Sequence, residues 1–166
     1  YKNFKVGKSL IEENTNEIIK IIYQKAEENK CQILIPEDCK VSTSFMGNGK
    51  NKNLDDIQDN EIVLDIGFKT IESIKSKIDQ SNTVLWNGPA GYFENENFKT
   101  GTISIAEAIS KNTIEKPLIS ILGGGDTLAA INKSKNKLSF THLSTAGGAF
   151  LEYLEGKDLP GLKVLN

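Results

Sequence analysis

No arginine occurs anywhere in the 166 residues; all 20 basic side chains are lysine, set against 22 acidic ones. The charged fraction of 25% is ordinary for a globular protein, so the peculiarity lies in the choice of cation and not in its amount. Guanidinium is the usual instrument for bidentate grips on phosphate and carboxylate, so any anion site in this chain must use backbone amides, helix ends or lysine. Cysteine is scarce as well. Cys31 and Cys39, with the single histidine His142, supply neither a disulfide framework nor a zinc-ligand set, and both thiols are expected to be free and buried. A net charge of −2 leaves no concentrated basic face for a nucleic-acid partner. No apolar run approaches the roughly 20 residues of a membrane span, and no charged-then-apolar leader opens the chain. The expectation is a soluble, cytoplasmic protein.

The length suits about one domain. The opening Tyr1-Lys2-Asn3-Phe4, without an initiator methionine, reads as though cut from something longer. What recurs along the chain is a short apolar strand, a glycine-bearing turn and a helical pattern, the alternation of a parallel α/β sheet. The first unit is a helix over about Asn14 to Asn29, with Ile18, Ile19, Ile21, Ile22 and Ala26 on its apolar side, leading to a strand over Gln32–Ile35 that Pro36 stops. The polar stretch Ser42 to Asn60 reads as a surface excursion. A strand over Ile62–Ile66 follows, then Gly67 and a helix from Thr70, expected as its N-cap, with Ile71, Ile74 and Ile78 on one buried face. Further strands are expected over Thr83–Trp86, Leu118–Leu122 and Ser139–Leu143, with helices over Thr100–Ser110, Leu128–Ile131 and Ala149–Glu155. Gly156 and Pro160 mark the end of the last helix.

Glycines thus gather at the carboxyl ends of at least three strands, where open parallel sheets bind their ligands. The most informative run is Gly123-Gly124-Gly125-Asp126-Thr127. Residues without Cβ let a phosphate approach the backbone, and the amides opening the following helix sit unpaired at its positive end. Asp126 offers a carboxylate to a hard cation such as Mg²⁺, and the Thr127 hydroxyl can cap the helix or reach a phosphate oxygen. A plain turn with Asp126 as N-cap would need one glycine, not three.

The segment from Trp86 to Glu94 is the second. Asn87 can donate to a phosphate and Glu94 can accept two sugar hydroxyls, as acidic residues do for ribose; a rigid turn with Glu94 solvated is the competing reading. Ser144-Thr145-Ala146-Gly147-Gly148 opens another helix, and close helix-to-strand packing accounts for it better, since no charged group accompanies the glycines. His142, inside an apolar strand pattern, is expected as a hydrogen-bonded core residue with no catalytic role. Val6-Gly7-Lys8-Ser9 is not a P-loop, because position 2 holds lysine where glycine is required and no strand precedes it; the turn at Gly67 lacks the dinucleotide spacing.

Taken in order, these segments resemble phosphoglycerate kinase. Val6-Gly7-Lys8-Ser9-Leu10, Leu64-Asp65-Ile66-Gly67, Leu85-Trp86-Asn87-Gly88-Pro89, Gly91 through Glu94, Phe98 with Gly101-Thr102, Gly123 through Thr127, Ser144-Thr145, and Leu154-Glu155-Gly156-Lys157 with Leu159-Pro160-Gly161 fall in the family's order over the whole chain. The resemblance implies that residues 1–166 form part of a C-terminal nucleotide-binding domain, a Rossmann-like α/β parallel sheet with helices on both faces. The resemblance also implies that this sheet is incomplete, with the first strands of the domain and the whole phosphoglycerate-binding N-terminal domain absent from these residues. In glycolysis the family passes a phosphoryl group between ATP and 3-phosphoglycerate, giving ADP and 1,3-bisphosphoglycerate, with Mg²⁺. It implies nucleotide contacts from Asn87, Glu94, Gly124, Gly125, Asp126 and Thr127, a metal contact from Asp126, no catalytic residue in this part, small-molecule partners and a monomer. The chain departs from the pattern at Phe68, usually proline, and at Ala146, usually glycine. In the sheet order 3-2-1-4-5-6 it would supply strands 3 to 6, leaving strand 3 unpartnered. A non-catalytic nucleotide- or phosphate-binding module, or a structural flavodoxin-like one, are the other readings.

Overall fold

The computed structural model describes residues 1–164. In chain order the elements are α1 (Asn16–Glu28), β1 (Asp38–Ser42), β2 (Lys50–Asn53), β3 (Ile62–Ile66), α2 (Phe68–Asp79), β4 (Thr83–Asn87), α3 (Thr100–Glu115), β5 (Ile119–Gly123), α4 (Gly125–Ile131), β6 (His142–Ser144), α5 (Gly148–Leu154) and α6 (Pro160–Lys163). The parallel sheet is β4-β5-β6, with Thr83 opposite Ile119, Trp86 opposite Leu122 and Ile121 opposite His142. A second sheet, β2-β1-β3, is antiparallel throughout.

Strand alternation decides how the parallel sheet is covered. Ser120 and Leu122 of β5 point to one face, where Leu122 joins Ile78, Ile105, Ala106, Ile109 and Ile131 in the main core under α2 and α3. The Ser120 hydroxyl meets that of Thr113 on α3 at 2.8 Å. Ile119, Ile121 and Gly123 face the other way; there the Phe150 ring of α5 lies against Gly123, while Ile119 and Leu85 stay about half exposed. Helices therefore occupy both faces, as expected, but the second face is covered only at its glycine end.

Five expectations fail or are refined, each for a physical reason. Residues 31–36 form no strand. Their apolar, β-branched run suits a sheet, but among the described residues no backbone lies alongside to complete a ladder, and Leu34 and Ile35 remain exposed. The 42–60 excursion is partly a hairpin, since β2 pairs Lys50–Asn53 with β1 as an edge strand whose lysines discourage further pairing. His142 is exposed on edge strand β6 and not in the core. Cys31 is exposed; Cys39 alone is buried, and burial pushes its thiol up to about 11, so it stays protonated and inert.

Thr70 is not an N-cap either. Helix α2 starts at Phe68, and its first amides are capped from outside: the Asp38 carboxylate of β1 accepts from Lys69 N (3.0 Å) and Thr70 N (2.9 Å). The Thr70 hydroxyl in turn accepts from Glu37 N at 2.9 Å. Asp65, in β3, does the same for α3: Oδ2 accepts from Gly101 N and Oδ1 from its neighbour Ile66 N, both at 2.9 Å. Each of the two helices is thus fastened to the antiparallel sheet by a carboxylate at its positive end.

The two carboxylates titrate in opposite directions. Burial raises Asp38, but the amide and hydroxyl donors of Thr70, the Lys69 amide and the Lys69 charge outweigh it, and the group sits below its ordinary value. For Asp65, burial wins over its amide donors and pushes the pKa from 3.8 up to about 6. The folded state then holds this proton more tightly than the unfolded chain, so the stabilisation is complete below 3.8 and is lost as pH rises through about 6. Asp38 acts oppositely: its contribution is present above 3.8 and is lost at lower pH. Denaturant titrations of the complete protein across pH 4 to 6 should show Asp65→Asn making the dependence of stability on pH less negative than in wild type. An unchanged slope would contradict the assignment.

Candidate functional site

Three loops leave the carboxyl ends of β4, β5 and β6 and converge on Gly124. Its N–H donates to Ser144 O at 3.2 Å. A Cβ added to it would come within 2.5 Å of Asn87 Oδ1, and its φ of +95° already lies where only glycine is comfortable. From the third loop, a Cβ on Gly147 would sit 3.3 Å from the Gly124 Cα. The outward sides of Gly125 and Gly148 meet nothing within 4 Å. The result is an open, side-chain-free floor at the strand ends.

Helix α4 rises from that floor. Leu128 N is the first of its amides to find a helical carbonyl, that of Gly124 at 3.1 Å, which leaves the amides of Gly125, Asp126 and Thr127 without a partner among the described residues. Gly125 and Asp126 are exposed. Thr127 is fully buried, and its Oγ1 accepts from Gly88 N at 2.8 Å, so its hydroxyl fastens the β4 turn to the first turn of α4. The rest of that turn is pinned too. Ala90 N and Gly91 N donate to Thr102 Oγ1 at 3.0 and 3.3 Å, and Tyr92 N donates to Leu64 O at 2.7 Å. A loop held at this many points presents its groups with little left to order on binding.

Asn87, Gly124, Gly125, Asp126 and Thr127 are thus brought together, but Glu94 is not among them. It lies exposed on the turn after Tyr92, in a depression of about 270 Å³ shared with Met46, Tyr92, Asn95 and Glu96. That turn is tied to the far end of α4: Lys133 Nζ donates to Phe93 O at 3.0 Å and Glu94 O at 3.2 Å. Asp126 and Lys133 are separated along α4 and its extension by roughly 10 Å at 1.5 Å per residue. Beside Glu94, Tyr92 also closes an apolar pocket of about 440 Å³ with Val63, Leu64, Pro89 and Ala90. The Phe45 ring packs edge-on against Tyr92, centroids 5.2 Å apart. Sequence reasoning missed this pocket and Lys133; the pocket's only signal was that Tyr92 and Pro89 flank the glycines already singled out, and Lys133 stood in a lysine-rich loop with nothing to distinguish it.

Among the described residues no three His, Cys, Asp or Glu side chains gather into a metal cage. One exposed carboxylate beside free amides is a donor set that suits Mg²⁺ held largely through phosphate oxygens and water, not by protein alone.

The family model described as phosphoglycerate kinase matches residues 1–157. Phosphoglycerate kinase of Xanthobacter flavus is 44% identical over 163 residues, and that of Chlorobium phaeobacteroides (strain BS1) 45%; each alignment covers 97% of this chain and 41% of the relative. The solved phosphoglycerate kinase of Coxiella burnetii superposes with a TM-score of 0.87 at 38% identity, covering 99% of this chain and 42% of that one. The enzyme from Pyrococcus horikoshii OT3 gives 0.75 at 30% identity, over 99% and 41%. The chain therefore spans about two fifths of the length of these relatives, and every glycine loop of its site lies inside the matched region. It belongs to the phosphoglycerate kinase family.

Proposed function

We propose that this chain is the nucleotide-holding part of a phosphoglycerate kinase, within the C-terminal domain, and that the complete protein transfers a phosphoryl group reversibly between ATP and 3-phosphoglycerate. The observation that carries the reading is the convergence of three strand-end loops on Gly124, which exposes unpaired amides and one carboxylate on a floor without side chains. Amides of Gly125 and Asp126 donate to the nucleotide phosphates, the buried Thr127 backs them by fastening the β4 turn to α4, Gly124 keeps the approach clear, and Asn87 donates from the β4 end. Asp126 holds Mg²⁺, which when bound supplies charge neutralisation across the phosphates. Glu94 accepts the ribose hydroxyls. The nucleobase enters the apolar pocket beside Tyr92.

In such chemistry the protein supplies position and electrostatic complement more than covalent steps. A chain without arginine meets the donor side of that task with main-chain donors, which need no long side chain to be ordered. The acceptor 3-phosphoglycerate belongs to sequence outside this chain, which contributes no catalytic residue of its own. The same reading makes the enzyme a cytoplasmic monomer of glycolysis. The test is 1,3-bisphosphoglycerate formation by the complete protein from ATP, Mg²⁺ and 3-phosphoglycerate. Nucleotide binding by calorimetry without turnover would instead mark a non-catalytic module.

A further inference from the structure

Lys133 follows α4, the helix whose other end carries Asp126, and its ammonium donates to two successive carbonyls, Phe93 O and Glu94 O. The same Nζ lies 5.3 Å from the centroid of the Phe93 ring, and that ring is buried. Three contacts from one cation therefore fix the main chain from which Glu94 projects. The Glu94 side chain itself has no such support: it is exposed, on a turn flanked by Asn95 and Glu96. Without a clamp, a carboxylate on such a turn would pay the ordering cost of its backbone each time it bound a ligand.

We propose that Lys133 is a positioning residue for ribose recognition, setting the height of Glu94 above α4 and hence the spacing between the sugar-binding and phosphate-binding ends of the site. This rests on the nucleotide reading above. Lys133 touches no substrate in this account. It acts by holding the 93–94 carbonyls, which also explains why a lysine is used: an ammonium carries three donors that can serve two adjacent carbonyls at once.

The experiment compares ATP with 2′,3′-dideoxy-ATP, which lacks the hydroxyls Glu94 would accept, in the complete kinase with 3-phosphoglycerate as acceptor. Lys133→Met keeps the stem and removes the donors. It should raise KM for ATP about tenfold, the loss expected of a charge-assisted hydrogen bond, while kcat falls much less. With dideoxy-ATP the variant and wild type should have the same KM, because the group that Lys133 positions has nothing to grip. Lys133→Arg, whose guanidinium can span both carbonyls, should recover most of the affinity for ATP. An equal KM increase on both nucleotides, or none on ATP, overturns the proposal. So does failure of both Lys133→Met and Lys133→Gln to fold, which would place the residue among purely structural ones. Glu94→Gln separates the two levels: if it leaves KM for ATP unchanged, the ribose reading itself falls. If it raises KM for ATP alone but Lys133→Met does not, only the role of Lys133 is lost.

Discussion

Replacing Asp126 by alanine in the complete kinase should lower kcat by about 10²–10³-fold, the range seen when one preorganised electrostatic partner of a developing charge is removed. Asp126 is exposed on the first turn of α4, beside amides that have no helical partner, and its side chain contributes nothing to the core. The variant should therefore keep its thermal stability, and the whole effect should fall on turnover. The apparent Mg²⁺ requirement should also rise, since Asp126 is the carboxylate this site offers a hard cation. Steady-state rates at wild-type level in a folded variant would remove the metal assignment and leave the amides as a bare anion site.

The second large effect concerns the 166 residues on their own. Expressed without further sequence, they should fail to give a cooperative, monomeric melting transition. Ile18, Ile21 and Ile22 on α1, Leu34 and Ile35 in the unpaired stretch, and Leu85 and Ile119 on the parallel sheet are each between 37% and 60% exposed. No residue of α1 is buried at all. Half-exposed side chains of this size forfeit about 1 kcal/mol each relative to full burial, so together they forfeit on the order of 7 kcal/mol, comparable to the ~5–15 kcal/mol margin of a whole domain. Exposed apolar faces of this kind also favour association. A reversible two-state melt with monomeric sedimentation would refute this expectation; a broad, concentration-dependent loss of structure with dye-binding surface would support it.

Much of the site was legible in the sequence because its code is local. Gly124 needs a positive φ, Asn87-Gly88-Pro89 dictates its own turn, and a helix begins immediately after the glycines; none of these facts requires a partner far away. What escaped was held by distant partners. Asp38 meets Lys69 and Thr70, Asp65 meets Gly101, and Lys133 meets Phe93 and Glu94, each pair more than thirty residues apart in sequence. Helix α2 shows the consequence: Thr70 looked like a cap because threonine caps helices, yet the capping oxygen came from another element. The strand over 32–35 failed for the complementary reason. Apolar β-branched residues state a preference for a sheet, but a ladder needs a second backbone. Strand β2, all lysine and asparagine, was invisible because an edge strand facing water on its sides carries no apolar alternation.

The floor around Gly124 also bears on how such a site withstands genetic change. Its donors are main-chain amides, which every residue type but proline possesses, so no ordinary substitution can delete them in the way that one codon change deletes a guanidinium. Vulnerability moves to the positions that bear no functional group. In a saturation library the intolerant columns would include Gly124, where any side chain collides with Asn87, whereas Gly125 and Gly148, open on their outer sides, would accept small residues until a ligand arrives. A lineage that drifts away from arginine can thus keep such a set of main-chain donors while its charged surface is rewritten.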